Sequence, residues 1–426
     1  MNKTKETVVT AFALFSLFFG AGNLILPPLL GFNSGNLWWL VALGFCISAV
    51  IIPILGIFAH AKLQGTIFDF GKKVSPTFSL IYSLLIYAIS VSLPSPRTAS
   101  VTHEIAIAPF FNIPPIYTSI VYFSLVLVFV LNRSKLLNII GKFLTPAILI
   151  ILVAIIGITL FSFDFSFGNL TMENPFTAGI LEGYQTFDAI GAIVVGGVII
   201  ISINLKNKEA SYDDKRTLIR RAGWLAGLGL FLIYGGLIIT GALMHGSFES
   251  TINRTALLNG ISLKTLGNAA NVFLSILVSL ACFTTAVGIV TGTSDFMKHR
   301  LSGSRNAYTL TAVIGCVLGV LMGQFNVDYI IAVAVPALLF VYPITIVLTL
   351  LNIVPNTYAT PKIFKLVIYS TILFSVPAFL SSLGIDDFSS FFTKWIPLSS
   401  YSLGWVFPAI IGFVIGNLRK SDSNTV

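Results

Sequence analysis

The sequence predicts an all-α polytopic membrane protein of about twelve transmembrane helices. Three observations predict it. Of 426 residues, 56% are hydrophobic and only 10% are charged, too few charges for a water-facing surface, and the mean hydropathy is +0.93. Apolar runs of about twenty residues, the length that crosses hydrocarbon, recur from end to end between short polar breaks. Lys and Arg then collect in every second break.

The runs lie at about 8–29, 37–59, 78–101, 116–131, 143–162, 179–204, 222–243, 267–292, 308–324, 328–351, 365–384 and 400–417. The longest breaks, near 205–221 and 244–266, are too short for a soluble domain, so the whole chain, 1–426, reads as one transmembrane domain. The N-terminus carries Lys3 and Lys5. Alternate breaks and the tail then hold Lys62, Lys72 and Lys73; Arg133, Lys135 and Lys142; Lys206, Lys208, Lys215, Arg216, Arg220 and Arg221; Lys298, Arg300 and Arg305; Lys362 and Lys365; and Arg419 and Lys420. These are 21 of the 25 basic residues, whereas the other breaks hold only Arg254, Lys264 and Lys394. Cytoplasmic loops gather positive charge, so both termini are expected on the cytoplasmic side of the membrane and the span count is expected to be even.

The same composition excludes several classes. The net charge of +9 belongs to loops, with no basic stripe interleaved with aromatics, so no nucleic-acid partner is expected. Cys46, Cys282 and Cys316 lie in apolar runs without CxxC spacing, which predicts neither a metal site nor a disulfide framework. No P-loop is present, the four histidines have no HExxH-like spacing, and no paired carboxylates sit within a span. The chain is therefore not expected to be an enzyme, to hold a cofactor or to need an obligatory protein partner. Lys3 and Lys5 before an apolar run resemble a signal peptide, but the run continues to Pro27-Pro28 and reads as the first span.

That first span is irregular where a helix should be most regular: Phe18-Phe19-Gly20-Ala21-Gly22-Asn23 is followed by Pro27-Pro28. Unpaired backbone in hydrocarbon costs several kcal/mol per group, so such a break belongs inside protein or beside a cavity. Broken helices at mid-membrane are how secondary transporters expose carbonyls and helix ends to substrates and ions. Close packing of small residues explains the glycines but not Asn23 and the prolines. The sixth span repeats the pattern, with Gly183-Tyr184-Gln185-Thr186-Phe187-Asp188 ahead of Gly196-Gly197. Placed at corresponding positions, the two breaks predict inverted halves, about 8–162 and 179–351, with two extra helices over about 365–417. Asp188 at membrane depth is costly and reads as functional: a partner for an ammonium, a cation ligand or a proton carrier.

Three further stretches stand out. Ala281, Thr284 and Thr285 place hydroxyls in a long apolar helix, where each threonine either bonds back to a carbonyl one turn earlier or offers oxygen to an alkali cation. Leu93-Pro94-Ser95-Pro96-Arg97 predicts a kinked or interrupted third span, with Arg97 and Glu104 as a gate pair or a structural pair at the interface. Val335-Pro336 and Tyr342-Pro343 suggest a hinge-like tenth span without an assigned chemical role.

The run from Phe12 to Phe15 and from Phe18 to Pro28 resembles the first-helix signature of the bacterial branched-chain amino acid:cation symporters. So do Leu93-Pro94 with Pro96-Arg97-Thr98-Ala99, Gly183-Tyr184 with Thr186 and Asp188-Ala189, Thr284-Thr285-Ala286, and the segment from Tyr342 to Leu348. The resemblance implies import of leucine, isoleucine and valine coupled to Na⁺ or H⁺, on the five-plus-five inverted-repeat fold of the leucine transporter. It also implies Ser16, Phe19, Asn23, Ala281, Thr284 and Thr285 around Na⁺. The substrate would lie among Phe19, Gly20, Ala21, Gly22, Asn23, Tyr184, Thr186, Phe187 and Asp188. A same-fold transporter of another substrate and an ion channel are the alternatives, and against the channel this chain lacks carboxylate rings or a repeated carbonyl-filter motif.

Overall fold

Helix formation by nearly every apolar run follows from hydrocarbon itself, which leaves backbone groups no partner but their own chain. The computed structural model describes residues 3–132, 136–194, 196–197, 211–385, 392 and 394–422, and its elements among them are helices. Expected features on Arg133, Lys135, Lys206, Lys208 and the end of the sixth span, 198–204, lie outside the described residues.

The first run forms two helices, α1 (Lys3–Phe18) and α2 (Ala21–Ser34). The second forms α3 (Trp38–Cys46) and α4 (Ile52–Leu63), joined by a π turn at Ile47–Ile51, and the short α5 (Ile67–Gly71) follows. The third is interrupted as its prolines predict: α6 (Pro76–Ser92) stops one residue before α7 (Pro94–Thr102), which closes in a π turn at His103–Ile107. Pro94 and Pro96 lack N–H groups, so the carbonyls one turn before them lose their helical partners. Next come α8 (Pro115–Asn132), α9 (Leu136–Ser162) and α10 (Pro175–Tyr184). Residues 188–194 form α11. The remainder is α12 (Tyr212–Leu243), α13 (Arg254–Arg300), α14 (Arg305–Gly323), α15 (Val327–Ile353), α16 (Pro361–Ser382) and α17 (Val406–Asp422).

Eight helices among the described residues are long and apolar enough to cross a membrane, and three shorter apolar stretches, Gly22–Phe32, Pro146–Ser162 and Val406–Leu418, accompany them. The break is one reason for the difference from twelve, because it divides the first run into pieces below spanning length. One segment read as a loop is helical: α13 begins at Arg254 and turns at Gly267, whose φ of 77° suits a residue without Cβ.

Helix α12 packs along both pieces of the first run. Contact there is backbone to backbone: a Cβ at Gly241 would lie 2.7 Å from the Pro28 carbonyl carbon, and one at Gly31 would meet the Ile238 carbonyl. On the other side, α10 lies against α3 and the π turn after it, where the Ser48 hydroxyl donates to Ile180 O at 2.8 Å. The first and sixth runs also meet directly, α10 against α2.

Candidate functional site

Backbone geometry opens both runs at one level. Helix α1 ends at Phe18, Gly20 is extended at φ −109° and ψ −175°, and α2 starts anew at Ala21. Gly20 N–H reaches Phe18 O at 2.9 Å, a tight turn in place of helical pairing. Pro27 and Pro28 then deprive the Asn23 and Leu24 carbonyls of helical donors. In the sixth run, α10 ends at Tyr184, Phe187 adopts φ 61°, and α11 begins at Asp188, whose N–H is capped by the Thr186 hydroxyl at 3.2 Å. A bulky residue at positive φ is a strained choice, and such strain collects at functional sites.

Side chains tie the breaks together. Asn23 Nδ2 donates to Asp188 Oδ2 at 2.7 Å, to Phe18 O at 2.8 Å and to the Tyr234 hydroxyl. The Tyr234 hydroxyl also donates to Asp188 Oδ2 at 3.2 Å. Three oxygens thus converge on one amide: a carbonyl, a phenol and a carboxylate. Asn23 acts here as donor, whereas the cation reading uses its amide oxygen. Asn23 is 1% exposed and Asp188 4%, so this polar cluster is enclosed by protein. Apolar rings surround it: Phe19 stacks on Tyr234 at 6.3 Å, Phe45 meets Tyr234 edge-on at 5.5 Å, and Tyr184 stacks on Tyr342 at 4.2 Å. The Tyr342 hydroxyl accepts from Ala189 N–H at 3.2 Å, and the Thr186 hydroxyl bonds Gly183 O at 2.8 Å.

The threonine pair sits beside the first break. Both Thr284 and Thr285 hydroxyls donate to Ala281 O at 2.9 Å, the back-bonding alternative weighed for each. Thr285 nevertheless faces the break, because a Cβ on Gly20 would stand 3.6 Å from its Oγ1. The Thr285 hydroxyl therefore stands beside the broken backbone, and it shares the Ala281 carbonyl with the Thr284 hydroxyl.

Arg97 and Glu104 do not pair with one another. Arg97 Nη1 donates to Gln185 O at 2.7 Å, and its guanidinium lies 5.3 Å from the Phe187 ring centre. Glu104 accepts from the Thr255 hydroxyl at 2.5 Å and from Val327 N–H at 2.8 Å, joining the third run to the starts of α13 and α15. Glu104 follows Arg97 by about two helical turns along α7 and its closing π turn, so each reaches a different layer. Arg254 completes an ionic cluster at Glu104's level, meeting Glu182 at 3.0 Å and pairing with Asp328. Burial works against the charge on Arg254, but the Glu182 and Asp328 carboxylates outweigh it and raise its pKa. An open cavity of about 670 Å³, lined by Gly246 to Glu249 and by Thr251 to Asn253 with Ala256, adjoins this cluster and not the breaks.

Tyr234, Tyr342, Gln185 and Arg97 adjoin the two breaks, and the sequence pattern assigns none of them to this locus. A phenol inside an otherwise apolar span was the available signal for Tyr234; nothing in the spacing marked the Gln185 carbonyl.

The class follows from these features and from shape. The fold is that of known membrane transporters built on the leucine transporter architecture. A nucleobase–cation symporter family transporter in a closed conformation with bromovinylhydantoin bound superposes at a TM-score of 0.58, with 13% identity, covering 98% of this chain and 93% of that one. MhsT, solved in complex with L-phenylalanine, gives 0.56 at 16% identity, covering 96% of this chain and 97% of that one. Residues 3–422 match the model of the branched-chain amino acid transport protein family, and the chain belongs to it. Its relatives include the branched-chain amino acid permease of Corynebacterium glutamicum, 31% identical over 97% of this chain and 94% of that protein. A branched-chain amino acid permease of Bacillus subtilis is 31% identical over 97% and 95%, and a branched-chain amino acid transport system carrier of Pseudomonas aeruginosa is 30% identical over 96% and 95%. This is a multi-pass membrane protein of a transport family.

Proposed function

We propose that the chain imports leucine, isoleucine and valine by cation-coupled alternating access, on two inverted five-helix halves with two added helices. The observation that carries the reading is the direct bond between the breaks, Asn23 to Asp188 at 2.7 Å, within a chain of this family. One enclosed locus then touches both halves, as a substrate must if its binding is to change their relation. The substrate's branched side chain sits among Phe19, Tyr184 and Phe187. Its polar end lies along Gly20, Ala21 and Gly22 and near Thr186 and Asp188. A pocket that reads only aliphatic shape separates leucine from valine by about 1–3 kcal/mol, so broad specificity is expected.

Coupling by Na⁺ would use Thr284, Thr285 and the carbonyls of Ala281, Ser16 and Phe19, with Asn23, a neutral oxygen set that suits an alkali cation. Coupling by H⁺ is the second reading, and the enclosed Asp188 carboxylate, on which Asn23 Nδ2 and the Tyr234 hydroxyl converge, favours it. Leucine uptake into proteoliposomes under separate inward Na⁺ and pH gradients tests both. Uptake that needs Na⁺, is competed by isoleucine and valine, and falls in Thr284→Ala supports the Na⁺ site. Uptake driven by the pH gradient alone moves coupling to Asp188, and none under either gradient refutes the substrate.

A further inference from the structure

A guanidinium in the middle of an apolar bundle is costly and needs a partner. Arg97 is 4% exposed, on a helix whose nine residues are all buried. Among the described residues no carboxylate lies within ion-pair distance of it, since the ion pairs found there belong to Arg254. Among the described residues its Nε finds no hydrogen-bond partner, and its bond there goes from Nη1 to Gln185 O. The nearby carboxylate of Asp188 is engaged elsewhere, through Asn23 and Tyr234.

The position is specific. Arg97 touches both breaks at once. In the sixth run it reaches Gln185 O and the Phe187 ring. In the first it abuts Gly22, where a Cβ would stand 3.0 Å from Cζ and closer still to Nη2. Glycine at 22 therefore makes room for this guanidinium against the backbone where α2 begins. Its planar array of N–H donors matches a carboxylate in two parallel bonds, a geometry an ammonium lacks.

We propose that the Arg97 guanidinium binds the carboxylate of the amino-acid substrate where the two breaks meet. The proposal deepens the function given above and rests on it. It turns a gate candidate into a substrate ligand. It also supplies the buried arginine with its missing anion only when substrate is present.

The test is equilibrium binding of radiolabelled leucine to the purified full-length protein, competed by leucinol, which keeps the ammonium and side chain but lacks the carboxylate. Wild-type protein is expected to prefer leucine to leucinol by roughly tenfold to a hundredfold, the span of one or two charge-assisted bonds. In Arg97→Gln that ratio falls toward unity, and Arg97→Lys restores part of it. Gly22→Ala, which displaces the guanidinium without removing its charge, lowers the ratio as well and serves if Arg97→Gln does not fold. Leucinol binding to wild-type protein as tightly as leucine overturns the proposal, and so does an Arg97→Gln or Gly22→Ala protein that weakens both ligands in parallel at the wild-type ratio. Wild-type protein that binds no branched-chain amino acid refutes the proposed function and this anchor with it.

Discussion

Asp188 shows how much one side chain decides. It is the acceptor that holds Asn23 and Tyr234 to the start of α11, and a carboxylate accepts more strongly than an amide. Replacing it by Asn keeps the shape and removes the charge, at a cost of about 1.5–3 kcal/mol if both bonds weaken. Asp188→Asn is therefore expected to cut leucine uptake about tenfold or more under either gradient, with the purified protein still monodisperse. Undiminished uptake would free Asp188 from any part in coupling. The sequence marked this residue by depth alone, and marked Asn23 and the threonines by the irregular run beside them. Tyr234 escaped because a tyrosine in an apolar span is ordinary until the fold brings it 46 residues back to Asp188.

Helices carry two further predictions. The α2–α12 contact has no side-chain layer to yield, since Gly241 meets Pro28 carbonyl atoms. Gly241→Val forces backbone apart, costing about 1–3 kcal/mol or more, and is expected to leave little monodisperse protein on size-exclusion chromatography. A well-folded Gly241→Val protein would contradict the packing. The ionic cluster acts between elements: Arg254 of α13 holds Glu182 of α10 to Asp328 of α15. These side chains are 19% to 45% exposed, so each pair contributes only about 0.2–1 kcal/mol. On the reading that the cluster closes one side of the site, Arg254→Gln is expected to release bound leucine roughly two- to fivefold faster in a filtration assay, an effect that shrinks at high salt. A release rate equal to wild type would make the cluster purely structural. Which partners meet here was not legible in sequence. Arg97 and Glu104 are near neighbours in the chain, yet about two helical turns along α7 and its closing π turn place them at different layers.

At the scale of the whole molecule, the distribution of charge predicts orientation. Tags at the N- and C-termini are both expected to be accessible only from the cytoplasmic side in oriented vesicles, because the basic loops alternate so strongly. A terminus exposed on the opposite side would require an odd number of spans. The sequence by itself determined that the chain lives in a bilayer, where most helices lie, and that the first, third and sixth runs are interrupted. Hydrocarbon imposes length and polarity locally, and glycine, proline and asparagine break a helix within a few residues. Tertiary structure decided what those breaks meet. The Asn23–Tyr234–Asp188 cluster and the Arg97 contacts with Gly22 and Gln185 join residues far apart in the chain. Such contacts depend on which helix faces pack together, and the local pattern of polar and apolar residues does not specify them.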